Sequence, residues 1–136
     1  MERQKTLIVD ASVAVKWFIH EENSEKAIKF REDSLSGKFN LIVPELLFLE
    51  VINTLRYKKI NAEKILYTNK SLWESQFKIH NIDDFLMEKI IDISIKNDIS
   101  VYDAVYVAIS QLYGVPLVTA DKKLYKIPNV IALEKI

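Results

Sequence analysis

Short apolar runs recur along this chain, each followed by a longer stretch of helical period, and that alternation constrains the fold more than any other feature. Thr6-Leu7-Ile8-Val9 reads as a buried strand stopped by Asp10, and Leu41-Ile42-Val43 as a second closed by Pro44. Residues 77–82, 116–119 and 130–133 supply further strand-like runs. Between them the pattern predicts helices over 12–19, 24–35, 45–59, 61–76, 83–97 and 101–113, with a helical turn over 121–125. Asn61 and Ser100 suit N-caps, while Gly37 and Gly114 stand where helices should stop. Strands separated by helices imply an α/β fold with a parallel sheet covered on both faces. Sites in such sheets lie beyond the carboxyl ends of the strands.

The 136 residues amount to one domain, 1–136, long enough to bury roughly two-thirds of its unfolded surface. Several function classes drop out. Two glycines in the whole chain cannot build a Gly-rich phosphate loop. The absence of cysteine removes disulfides, thiolate chemistry and zinc fingers, and suits a reducing compartment. Nineteen basic residues balance nineteen acidic ones, so no global field draws the chain to nucleic acid or an anionic membrane. No apolar run approaches a membrane span, and Asp10 interrupts the stretch a signal peptide would need. The expectation is a soluble, cytoplasmic domain with no membrane partner.

Four acids stand where the pattern does not ask for them. Asp10 and Asp121 each follow a strand, and either caps the next turn or belongs to a site at the sheet edge. Glu50 interrupts Leu46-Leu47-Phe48-Leu49 and Val51-Ile52, sharing a helix face with Asn53, Thr54 and Tyr57. That face is either the wet side of an amphipathic helix or the wall of a polar cleft. Asp103 opens an otherwise apolar helix, and Ser100-x-x-Asp103 also matches a shortened capping box. Gathered together, the four repel: two charges 4 Å apart cost ~4 kcal/mol at an effective dielectric near 20. Such a group either keeps a proton or holds a hard divalent cation, and oxygen donors favour Mg2+ or Mn2+. A cation of that kind activates water and screens an in-line displacement at phosphate. Lys16, Lys122 and Lys123 flank the acids in sequence, and Arg56, Lys58, Lys59 and Lys64 form a second basic patch. Each lysine is otherwise an ordinary solvated charge.

The run from Val9-Asp10-Ala11-Ser12 through Lys16-Trp17-Phe18 to Glu21-Glu22 resembles the opening of PIN-domain ribonucleases, and more narrowly of VapC-like toxins of type II toxin–antitoxin modules. Pro44-Glu45-Leu46 with Glu50-Val51-Ile52-Asn53 is similar to the second motif of that family. Tyr102-Asp103-Ala104-Val105-Tyr106 resembles the third and Val118-Thr119-Ala120-Asp121-Lys122-Lys123 the fourth, so the likeness spans the chain in order. The resemblance implies a three-layer α/β/α sandwich and a Mg2+-dependent endoribonuclease, with Mn2+ as substitute. It implies Asp10, Glu50, Asp103 and Asp121 as the catalytic and metal-holding acids, with Ser12, Asn53 and Thr119 supporting them. RNA is the implied substrate, with Lys16, Lys122 and Lys123 placed to meet its phosphates. A homodimer and an antitoxin that blocks the site are the implied partners. A role in RNA processing, or a non-catalytic binding module on the same fold, would share these motifs. A phosphoaspartyl transferase would need a second Asp where Ser12 stands.

Overall fold

The computed structural model describes residues 5–136, so the first four residues of the expected 1–136 domain lie outside the described residues. Five strands form one sheet: β1 (Lys5–Val9), β2 (Phe39–Val43), β3 (Lys78–Ile79), β4 (Leu117–Thr119) and β5 (Val130–Ala132). Their spatial order is β3-β2-β1-β4-β5, and every pairing is parallel. Leu7, Ile8 and Val9 are all buried, as are Leu41, Ile42 and Val43. Continuous rather than alternating burial is the mark of a sheet covered on both faces. Each such side chain contributes about 1.5–3 kcal/mol on leaving water.

Six helices cover the sheet: α1 (Ala11–Ala14), α2 (Ser24–Leu35), α3 (Leu46–Tyr57), α4 (Ala62–Trp73), α5 (Asp84–Asn97) and α6 (Val101–Tyr113). The chain moves outward from β1 to β2 to β3, then crosses back to β4 on the other side of β1. Right-handed crossovers therefore put α1–α4 on one face and α5–α6 on the other. That is the expected three-layer α/β/α sandwich. Helix α6 is buried at seven successive positions, Ala104 to Ser110, as a helix must be when it lies between a sheet and another helix. Helix α5 forms that outer cover.

Local chemistry sets the element ends. Asn61 accepts from Lys64 N at 2.8 Å, and Ser100 accepts from Asp103 N at 3.0 Å. Gly114 takes φ +66° at the end of α6, where a residue with a Cβ would be strained. Three expectations are corrected. The helix over 12–19 is a single turn, Ala11–Ala14, tightened into a 3-10 turn over Val15–Trp17. The cause is tertiary: the Trp17 indole donates to Ala27 O of α2 at 2.9 Å and turns the chain early. The strand over 77–82 shrinks to Lys78–Ile79, an edge strand paired only with β2 and preceded by Gln76 at φ 62°. Helix α4 ends at Trp73 rather than near residue 76.

Candidate active site

Strand order places the site. Connections leave β1 and β4 in opposite directions, so a crevice opens between their carboxyl ends. The register pairs Val9 with Val118, which sets the next residues, Asp10 and Thr119, side by side. Because crossover helices run back against the strands, the first turns of α3 and α6 come to the same edge. They bring Glu50 and Asp103.

Asp10 is buried and at once caps α1, accepting from Val13 N at 3.4 Å. Ser12 Oγ donates to its Oδ1 and Thr119 Oγ1 to its Oδ2, each at 2.5 Å. Ser12 Oγ and Thr119 Oγ1 also lie 3.2 Å apart. Ser12 Oγ accepts from Ala120 N at 2.9 Å, and Thr119 Oγ1 from Asp121 N at 3.0 Å. With both hydroxyl protons given to Asp10, the Ser12–Thr119 contact has no proton of its own. Burial pushes the Asp10 carboxyl up from 3.8 to about 6; the hydroxyls and Val13 N pull it down, and the charge of Asp103 raises it further.

Glu50 is half-buried, and Tyr106 Oη donates to its Oε1 at 2.5 Å. Burial raises the Glu50 carboxyl, the Tyr106 hydroxyl draws it back, and Asp103 pushes it up again. Tyr106 keeps its proton, held well above its ordinary value by burial and by the charge of Glu50. Asp10 and Glu50 thus both sense Asp103, although they reach the crevice from different layers. Asp103 Oδ2 lies 3.7 Å and Asp121 Oδ2 3.6 Å from Lys123 Nζ, so one ammonium stands between these two acids. Asp121 also caps the turn that carries Lys123, accepting from Lys123 N at 3.0 Å.

Beside the acids lies a cavity of about 360 Å³, lined by Ser12, Lys16, Glu50 and Asn53 among others. Lys16 is nearly buried there and pairs with Glu21 at 3.5 Å. Lys122 is exposed. Two participants carry no role in the sequence reading. Tyr106 stands in a wholly buried helix, where a phenol needs a polar partner; that need was the available signal. Glu21 belongs to a loop with no periodicity, and its signal in the sequence is its place at the end of the first motif.

Among the described residues, no three acids or histidines stand close enough to enclose a metal ion as they are placed. The donor chemistry nonetheless fits a hard cation. Every candidate donor is an oxygen, two of the acids are driven toward protonation by burial and by Asp103, and a side-chain ammonium already bridges two of them.

Known proteins share this fold. Ribonuclease VapC3 of Pyrobaculum aerophilum is 31% identical over 124 residues, which cover 87% of this chain and 91% of that protein. A toxin–antitoxin complex from Klebsiella pneumoniae superposes with a TM-score of 0.72 at 19% identity, covering 96% of this chain and 99% of the other. The Mycobacterium tuberculosis toxin VapC20, which cleaves the sarcin–ricin loop, gives 0.69 at 12% identity over 84% of this chain and 87% of its own. The PIN domain family matches residues 7–130. With the fold, the crevice and the relatives in agreement, the chain belongs to the PIN-domain family and is VapC-like.

Proposed function

We propose that the chain is a divalent-metal-dependent endoribonuclease and the toxin of a toxin–antitoxin pair. The observation that carries this is Asp10: a buried carboxylate at the β1/β4 crevice, held on both oxygens and within reach of the Asp103 charge from another layer. A carboxylate is costly to bury for structure alone. Asp10, Glu50, Asp103 and Asp121 would hold Mg2+ or Mn2+ through their oxygens. The ion, when bound, lowers the pKa of water and offsets charge on the phosphate.

The chain's own residues do the rest. Ser12 and Thr119 fix the Asp10 carboxyl, and the backbone of Ala120 and Asp121 fixes those hydroxyls in turn. Tyr106 orients Glu50. Asn53 lines the cavity, and Lys16, Lys122 and Lys123 supply positive charge to phosphates. An antitoxin is the protein partner, in line with the toxin–antitoxin complex of the Klebsiella relative. Exposed Leu49, Tyr57, Leu66, Tyr67 and Trp73 on α3 and α4 give a partner apolar side chains to cover. Action in the cytoplasm as a homodimer belongs to the same proposal. No helix among the described residues is long and apolar enough to cross a membrane.

The test is digestion of single-stranded RNA by the purified protein with Mn2+, with excess chelator, and after Asp10→Asn. Cleavage in the first alone supports the reading. Cleavage that survives chelation or the substitution overturns it.

A further inference from the structure

The cavity beside the acids has a second wall of opposite charge. Lys16 follows α1 directly, and its side chain is only 12% exposed. Lys58 caps the far end of α3, the helix that carries Glu50, and is 45% exposed. The two ammonium groups converge on one carboxylate: Lys16 Nζ lies 3.5 Å from Glu21 Oε1, and Lys58 Nζ lies 3.0 Å from Glu21 Oε2. Glu21 and Lys16 both line the cavity, together with Ser12, Glu50, Asn53 and Thr54. One acid serving two lysines leaves this trio one positive charge in excess, facing the Glu50 carboxyl across the cavity. The loop is also braced from behind, because Ser24 Oγ accepts from Glu21 N at 2.8 Å.

Charge at such a place has a use. A polyanion entering the acidic crevice meets repulsion from the carboxylates and needs compact positive charge within reach. A lysine is a flexible point charge, and fixing it in advance holds the bound phosphate in register with the acids. We infer that Glu21 is a positioning residue that holds Lys16 and Lys58 as a paired cationic seat for an RNA backbone phosphate at the rim of the acidic site. Lys58 thereby joins the RNA track, and Glu21 acts through the lysines without touching substrate. The inference rests on the nuclease reading above and deepens it.

The sign of the effect separates positioning from plain electrostatics. Removing the Glu21 charge makes the surface more positive, so RNA should bind as well or better. The lysines then lose their fixed places, and turnover should fall. The experiment measures salt-dependent binding of a single-stranded oligoribonucleotide on an Asp10→Asn background, and kcat and KM on the otherwise unaltered protein. Lys58→Gln should flatten the slope of log K against log salt by about 0.7, the share of one single-strand phosphate. Glu21→Gln should leave affinity equal or tighter and lower kcat by roughly tenfold or more, the scale of a misplaced positioning contact. Glu21→Asp, which keeps the charge, should retain more of kcat than Glu21→Gln. An unchanged slope in Lys58→Gln overturns the inference. So does Glu21→Gln with unchanged kcat, or with a lowered kcat that comes with weaker binding and a lowered melting temperature. Failure of the parent reading looks different: there the unaltered protein would not cleave RNA, or Asp10→Asn would cleave it equally well.

Discussion

Replacing Asp10 by Asn should stabilise the metal-free protein at neutral pH and leave it unimproved in acid. In the unfolded chain an aspartate ionises near 3.8; in the fold Asp10 holds its proton to about 6. Between those values the folded state binds more protons than the unfolded one, so stability falls as pH rises through that window. The fall is complete above pH 7 and amounts to about 3 kcal/mol. Asn does not titrate and escapes it. Against this gain, the amide offers one acceptor where Asp10 offers two, so either Ser12 or Thr119 must turn its hydroxyl elsewhere, at about 1 kcal/mol. The net expectation is a variant about 1–2 kcal/mol more stable at pH 7.5 and equal to or below the parent at pH 4. Urea unfolding across pH 4–8 in the presence of chelator measures it. A variant destabilised at every pH would reduce Asp10 to a helix cap.

Three further outcomes follow from single contacts. Tyr106→Phe removes the hydroxyl that pulls Glu50 down, so the Glu50 carboxyl should titrate still higher by NMR, and RNA cleavage should fall. Arg31 lies 5.4 Å from the Trp17 and Phe18 rings and donates to Ser71 and Ser75 Oγ, tying α2 to α4; Arg31→Ala should cost about 1–3 kcal/mol in urea unfolding. Gly114→Ala meets no atom within 4 Å of its new Cβ, so the left-handed backbone alone should cost about 1–2 kcal/mol in the same assay.

The legible parts of the sequence were those governed by neighbours along the chain. Alternation of buried runs with helical period led to the layered parallel sheet, because a strand covered on both faces admits no other pattern at positions such as Leu7-Ile8-Val9. The caps at Asn61 and Ser100 and the stop at Gly114 are equally local. What depended on distant contacts was hidden. The turn after α1 tightens because Trp17 finds Ala27, and β3 is cut short by an exposed edge. Lys123 looked like a phosphate ligand by its place beside Asp121, whereas in the fold it also reaches Asp103. Tyr106 meets Glu50 across 56 positions and Lys58 meets Glu21 across 37, separations that no periodicity encodes.

If Asp10, Glu50, Asp103 and Asp121 share one cation, unfolding free energy at pH 7.5 should rise on adding Mn2+. Ion present at about 100 times its Kd should add about 2.7 kcal/mol to the folded state. Asp103→Asn, which removes the acid felt by both Asp10 and Glu50, should abolish most of that gain. No gain in the parent protein, or an equal gain in Asp103→Asn, would rule out a cation held by these four acids.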